Sequence, residues 1–356
     1  MEEPTLLDFS DEKFINHLKN PEFIPDDKSF LFSALSFAKK WYNDETEFEF
    51  STSGSTGNPK NNLFNKNQII SSVENTAKYF NLQKGDNIFI CLNALYTGGK
   101  MMMARAIHLK LKAYIVPPTN LPFTQANNNF YKLTAIVPSQ LYSILNTSGY
   151  ENYLKQFENV LIGGASVNAE LRSKCRSINY SHVYETFGMT ETLSHIALKK
   201  ISNVYTNQPF EALPGIEVDS DENNCLRIRS EVTNNHWIET KDVVEMVNDN
   251  TFIWRGRFDN IINSGGIKIN PEEIESVISL TLKSHGVKSF YITSEPNSKF
   301  GQKLILVIEG EESSESLLKV LKDILPEHHA PGKILYQKEF NRTLSGKIIR
   351  TIQKNI

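Results

Sequence analysis

The chain has 356 residues, 40% of them hydrophobic and 22% charged, with a formal net charge of -3. That length and apolar content suit a large domain plus a small one, and the near-neutral charge excludes a nucleic-acid surface or a polybasic membrane patch. Cys91, Cys175 and Cys225 are odd in number and far apart, which excludes a disulfide framework or a C-x-x-C zinc site and leaves free thiols. No apolar run approaches the ~20 residues that span a bilayer. Met1-Glu2-Glu3-Pro4 is acidic, with no apolar segment of a signal peptide after it. The expectation is a soluble cytoplasmic protein.

In chain order, residues 1–50 read as helices and connectors. Phe30, Leu31, Leu35, Phe37 and Trp41 recur at roughly helical spacing. Phe48-Glu49-Phe50 alternates as a strand does and runs into Thr52–Lys60, the segment richest in hydroxyls and glycine. From 66 to about 185 the texture is α/β. Helices are predicted over 67–80 and 99–111, and short apolar strands at 88–92, 113–116, 134–137 and 160–162. This alternation predicts a mostly parallel sheet covered on both faces. The run Met101-Met102-Met103 reads as core packing. Between 204 and 255, alternating runs such as Leu226–Arg229 and Thr251–Trp254 predict antiparallel strands. Gly256–Asn260 reads as a turn. Pro271 opens a helix to Leu282, with Glu272, Glu273 and Glu275 near its positive end. Strands near 287–293 and 303–308, a helix near 313–325 and a basic tail complete a small α/β unit.

The chemistry begins at Thr52-Ser53-Gly54-Ser55-Thr56-Gly57-Asn58-Pro59-Lys60. Two glycines let backbone approach an anion, the hydroxyls donate hydrogen bonds, and Lys60 supplies charge. The spacing is not that of Walker A. Further on, Phe187 offers a face for a base, Thr190 a hydroxyl, and Glu191 hard oxygens for Mg²⁺. Read alone, Gly163-Gly164 is an ordinary strand-to-helix turn, Asp242 a turn residue, His195 a packed histidine, and the basic tail a solvated one.

Together these segments resemble the adenylate-forming superfamily of acyl-CoA synthetases, adenylation domains and luciferases. The carriers are Thr52–Lys60, Gly163-Gly164-Ala165, Tyr184–Thr192, Thr240-Lys241-Asp242 with Gly256–Asp259, Ser264–Glu275 and Asn341–Arg350. Their order is the family's, over about 300 residues. Three positions depart from its pattern: Asn61 and Lys241 stand where glycine is usual, and Asn341 where proline is.

The resemblance implies an α/β fold. A large N-terminal domain, residues 1–256, carries mostly parallel strands, helices and antiparallel strands. A small mobile C-terminal α/β domain, residues 257–356, carries the catalytic lysine. Only about 50 residues precede the phosphate loop, so the first N-terminal subdomain is expected to be reduced. The wall it supplies is then absent or comes from a second chain, which leaves a homodimer open.

The implied cofactors and co-substrates are ATP, Mg²⁺ and coenzyme A. The implied reaction joins a carboxylic acid to AMP, then to a thiol. Lys347, Thr190 and Glu191 are the implied catalytic residues, with Glu191 also the metal ligand. ATP or AMP falls to Thr52, Ser53, Gly54, Ser55, Thr56, Lys60, Gly163, Gly164, Ala165, Phe187, Gly188, Asp242 and Arg257. Asp259 is the implied hinge. Gly265 and Gly266 take the pantetheine arm of coenzyme A.

For the acid, the segment 94–100 has no Asp to hold an α-amino group, which argues against an amino-acid substrate. Thr190–Ile196 and Ser264–Pro271 look most like the o-succinylbenzoate–CoA ligases of menaquinone synthesis. The second carboxylate of that acid would meet Lys100, Arg105, Ser194 or His195. The alternatives are a ligase for another aryl or fatty acid, and a non-catalytic ATP/AMP-binding protein.

Overall fold

The computed structural model describes residues 4–51, 61–127, 129–206, 208–312, 317–342 and 348–351. The chain opens with β1 (Thr5–Asp8), α1 (Glu12–Lys19) and α2 (Phe32–Tyr42), then pairs β2 (Glu47–Ser51) with β3 (Asn61–Asn65). An alternating region follows: α3 (Lys66–Phe80), β4 (Asn87–Ile90), α4 (Thr97–His108), β5 (Lys112–Ile115), β6 (Tyr131–Ile136), α5 (Pro138–Asn146), β7 (Phe157–Ile162), α6 (Ala169–Cys175) and β8 (His182–Gly188). Then come β9 (His195–Lys200), β10 (Phe210–Ala212), β11 (Glu217–Ser220), β12 (Cys225–Arg229), β13 (Ile238–Asn248) and β14 (Thr251–Arg257). All but β2 and β3 join one 12-stranded sheet, in the order β1-β5-β4-β6-β7-β8-β9-β10-β14-β13-β12-β11.

Within it, β5, β4, β6, β7 and β8 are mutually parallel, and every other pairing is antiparallel. Strand alternation explains why the parallel part is buried on both faces. Ile88 and Ile90 enter a core with α3 and α4, while Phe89 and Cys91 enter a second core beyond the opposite face. In that second core Phe123 and Phe157 stack with centroids 4.1 Å apart. Met101, Met102 and Met103 are all buried in the first, as their spacing suggested. The three cysteines are free and buried.

A separate five-stranded sheet follows, built from β15 (Ile262–Ser264), β16 (Ile267–Ile269), β17 (Phe290–Asn297), β18 (Gly301–Glu309) and β19 (Lys333–Gln337). It packs with α7 (Pro271–Ser284) and α8 (Leu317–Ile324) around Ile274, Ile278, Leu306 and Leu321. Lys283 of α7 forms an ion pair with Glu170 of α6, and the Asn270 side-chain amide donates to the Arg255 carbonyl at 2.6 Å. These contacts join the smaller sheet's helix to the larger sheet.

The sequence reading did not anticipate strands β3, β15, β16 and β19, and two further elements differ from it. The first segment holds a strand, β1, whose Leu7 is buried against the edge of β5. Four residues are too few to show a period. Gly256 and Arg257 continue β14, pairing with Val243 and Asp242, and the turn is confined to 258–260.

Helix α4 starts close against the loop after β4. A Cβ at Gly99 would lie 2.3 Å from the Asn93 carbonyl oxygen, which is backbone and cannot yield. Gly99→Ala is therefore expected to cost about 2 kcal/mol by overpacking. The midpoint of urea unfolding measures this, and an unchanged midpoint would contradict the close approach.

Candidate functional site

Open parallel sheets bind ligands beyond the carboxyl ends of their strands. Here Gly163-Gly164-Ala165 follow β7, Phe187-Gly188 end β8, and Thr190 and Glu191 occupy the turn into β9. One cleft brings these residues together with Ser194, His195, Asp242, Arg257 and Asp259. Lys100 is not among its lining residues. Its ammonium donates to the Glu49 carbonyl at 2.6 Å and lies 5.4 Å from the Phe50 ring centroid, facing the β2–β3 hairpin. Gly265 and Gly266 form the turn between β15 and β16 with positive φ, and they too lie outside the lining. Thr52, Ser53, Gly54, Ser55, Thr56, Lys60 and Lys347 lie outside the described residues.

The turn after β8 owes its shape to two residues. A Cβ on Gly188 would stand 2.4 Å from the Ser194 carbonyl oxygen, so only glycine fits. The buried Thr192 hydroxyl accepts the Met189 amide at 3.2 Å and sits 3.0 Å from the Ser194 carbonyl. Glu191 beside it is exposed, with no hydrogen-bond or ion-pair partner among the described residues. Mg²⁺ is commonly held by one or two carboxylates together with substrate phosphates. A lone accessible carboxylate fits that use. Among the described residues no group of three His, Cys, Asp or Glu could hold a metal by itself.

Phe187 is half-buried, with its ring 5.4 Å from Phe210 and 5.3 Å from Phe252. Below it, Glu185 is buried between Arg172 (2.8 Å) and Lys199 (3.1 Å). Burial alone would favour its neutral acid. The two cations outweigh burial and hold Glu185 below the usual carboxylate range.

On the α4 side a different cluster forms. Arg105 is 2% exposed, donates to Thr76 (3.2 Å) and Ser194 (3.3 Å), and has its Nε without a hydrogen-bond partner. No carboxylate pairs with it among the described residues. Burial lowers its pKa to about 10, which still leaves it charged. His195 lies between the Thr76 and Ser194 hydroxyls, each 3.3 Å away. Burial first, and the Arg105 charge second, push its pKa well below 6.5. Sequence reading picked out Arg105, Ser194 and His195 but missed Thr76. The usable signal was Ser72 and Thr76, hydroxyls one turn apart on α3 beside Ile69, Val73 and Phe80.

At the end of the cleft beside β13 and β14, Asp242 is buried. It accepts the Trp254 indole N–H at 3.0 Å and lies 3.5 Å from Arg257. Arg257 also reaches Asp259 at 3.4 Å, and Lys241 holds Asp259 at 2.8 Å. The hydrogen bond from Lys241 keeps the Asp259 pKa down. Across the cleft, Arg342 and Ile348 form an antiparallel bridge. Arg342 is clamped bidentately by Glu309, and Arg350 by Glu275.

A model of the AMP-binding enzyme family matches residues 27–219. The 2-succinylbenzoate–CoA ligase of Lactococcus lactis is 24% identical over 89% of this chain and 72% of its own length. A solved acyl-CoA synthetase (AMP-forming)/AMP-acid ligase II-like protein from Dyadobacter fermentans is 33% identical. It superposes with a TM-score of 0.66 over 97% of both chains. The o-succinylbenzoate CoA synthetase of Bacillus subtilis, solved with its acyl-adenylate intermediate, shares the fold. Its TM-score is 0.69 at 20% identity, over 85% of this chain and 67% of that one. The chain therefore belongs to the AMP-binding enzyme family, the adenylate-forming class that includes the AMP-forming acyl-CoA synthetases.

The neutral His195 has a consequence for acid stability. As pH falls below 6.5 the unfolded chain takes up a proton at this position and the folded chain does not, so acidification removes stability here. The expected NMR result is a His195 ring whose titration midpoint lies well below 6.5. A midpoint near 6.5 would contradict the half-buried, Arg105-facing placement.

Proposed function

We propose that the protein is an ATP-dependent acid–CoA ligase acting on o-succinylbenzoate, the acid of menaquinone biosynthesis. The observation that carries the choice of acid is Arg105, a buried guanidinium in the cleft without a carboxylate partner among the described residues. Burying an unpaired charge costs several kcal/mol, and a planar guanidinium is the natural bidentate receptor for a carboxylate. o-Succinylbenzoate carries two carboxylates. One can meet Arg105 with Ser194 while the other reacts. The names of the Lactococcus and Bacillus relatives support the same acid.

In the first half-reaction the reacting carboxylate oxygen attacks the α-phosphorus of ATP and pyrophosphate leaves. Thr52–Lys60 hold the β- and γ-phosphates, and Thr190 donates to the α-phosphate. Gly163-Gly164-Ala165 and Phe187 flank the adenine, and Asp242 receives the ribose. Glu191 would hold Mg²⁺, which supplies charge neutralisation for the phosphates. Lys347 bridges the carboxylate and the α-phosphate, where negative charge is greatest during displacement. In the second half-reaction the coenzyme A thiolate attacks the acyl carbon and AMP leaves. The domains 1–256 and 257–356 exchange positions about Asp259, withdrawing Lys347 and bringing Gly265-Gly266 to the pantetheine arm.

Three outcomes test this reading. Pyrophosphate release should depend on o-succinylbenzoate over benzoate and octanoate. Indifference among the three would discard the pathway. Arg105→Met should raise KM for o-succinylbenzoate by about 10- to 100-fold, the worth of a charged hydrogen bond, with KM for ATP little changed. Equal loss for both substrates would remove Arg105 from acid recognition. Lys347→Ala should slow adenylation about 100-fold or more while sparing thioester formation from preformed acyl-AMP. Equal damage to both half-reactions would count against the exchange.

A further inference from the structure

Strand geometry makes Trp254 and Arg257 unexpected neighbours. Side chains on a strand alternate, so residues three apart point to opposite faces. Asp242 pairs with Arg257 and Val243 with Gly256, but Val244 then pairs with Trp254. Arg255 is the extra residue of a bulge. Bulges re-aim side chains, and they are common beside active sites. This one puts Trp254 on the face that already holds Asp242 and Arg257. Gly256 makes the bulge feasible: its φ is +146°, and a Cβ there would meet the Asn270 side chain at 2.2 Å.

The bulge delivers an indole N–H to Oδ1 of Asp242 at 3.0 Å. The Asp242 amide is in turn held by the Thr240 hydroxyl at 3.0 Å. Oδ2 lies 3.5 Å from Arg257, whose other nitrogen is drawn toward Asp259. Lys241 neutralises Asp259 from the far side at 2.8 Å. A rigid neutral donor thus fixes one carboxylate oxygen without quenching its charge, and Oδ2 remains beside Arg257 at the cleft.

We propose that Trp254 is a positioning residue for nucleotide recognition: its indole N–H orients Asp242 to accept the ribose 2′-hydroxyl. The inference rests on the functional reading, which gives Asp242 the ribose. Pre-orienting an acceptor removes an ordering cost from binding, so the benefit is specific to ligands that carry that hydroxyl.

The test is titration calorimetry of the full chain with AMP and with 2′-deoxy-AMP, on the wild type and Trp254→Phe, with Tm recorded for each. Phenylalanine keeps a ring and removes the donor. The wild type should prefer AMP by about 10-fold, roughly the worth of one hydrogen bond to a charged group. The variant should lose AMP affinity by a similar factor and bind 2′-deoxy-AMP as the wild type does. Parallel weakening of both nucleotides, or no change in either, would overturn the inference and leave the ligase reading standing. A wild type that binds AMP no better than its deoxy analogue would overturn the ribose role of Asp242 as well. If Trp254→Phe fails to fold, Trp254→Leu removes the same donor and is read in the same way.

Discussion

The parallel part of the larger sheet follows from strands that are apolar on both faces. Ile88 and Ile90 need one cover and Phe89 and Cys91 another, so α3 and α4 lie on one side and α5 and α6 on the other. A sheet covered on both faces leaves its chemistry only at the strand ends. Backbone polarity, glycines and short hydroxylated turns gather there: Gly163-Gly164 after β7, and Gly188 through Ser194 after β8. The close backbone approach at Gly188 and the buried Thr192 hydroxyl give the second turn one shape.

Two buried charges near that edge behave in opposite ways. Glu185 is satisfied twice over, by Arg172 and Lys199, and reads as structural support beneath the cleft. Arg105 has hydroxyls and a thioether around it but no anion among the described residues. Folding alone gives no reason to bury a guanidinium in that way, since an apolar residue would pack there at lower cost. His195 beside it stays neutral and adds no competing charge. On the proposed reading, Arg105 receives the second carboxylate of the acid.

Much of the fold was legible because its signals are local and periodic. The helices at 66–80 and 271–284, the parallel strands and the buried methionines follow from period and composition. Glu191, Asp242 and Phe187 were picked out by residue type, and the fold brings them to one cleft. Tertiary pairing was not legible. Strand β1 is four residues long and exists because β5 has an open edge. Lys100 looked as suited to an acid as Arg105, but the two stand five residues apart on α4 and so leave the helix on different faces. Lys100 reaches the Glu49 carbonyl, whereas Arg105 is enclosed with Thr76 and Ser194. The bulge at Arg255 leaves no mark on the alternation of Thr251–Trp254, so the Trp254–Asp242 bond appears only in three dimensions.

The same local detail bears on the departures from the family pattern. Lys241, where glycine is usual, pairs with Asp259 at the turn between the two sheets. In the proposed reaction a carboxylate oxygen of the acid becomes bonded to the α-phosphorus of ATP. The most direct measurement supplies o-succinylbenzoate labelled with ¹⁸O in its carboxylates, together with ATP and coenzyme A, and analyses the products by mass spectrometry. The account predicts one ¹⁸O in each AMP formed and none in pyrophosphate. Label in inorganic phosphate, or AMP without label while thioester accumulates, would contradict it.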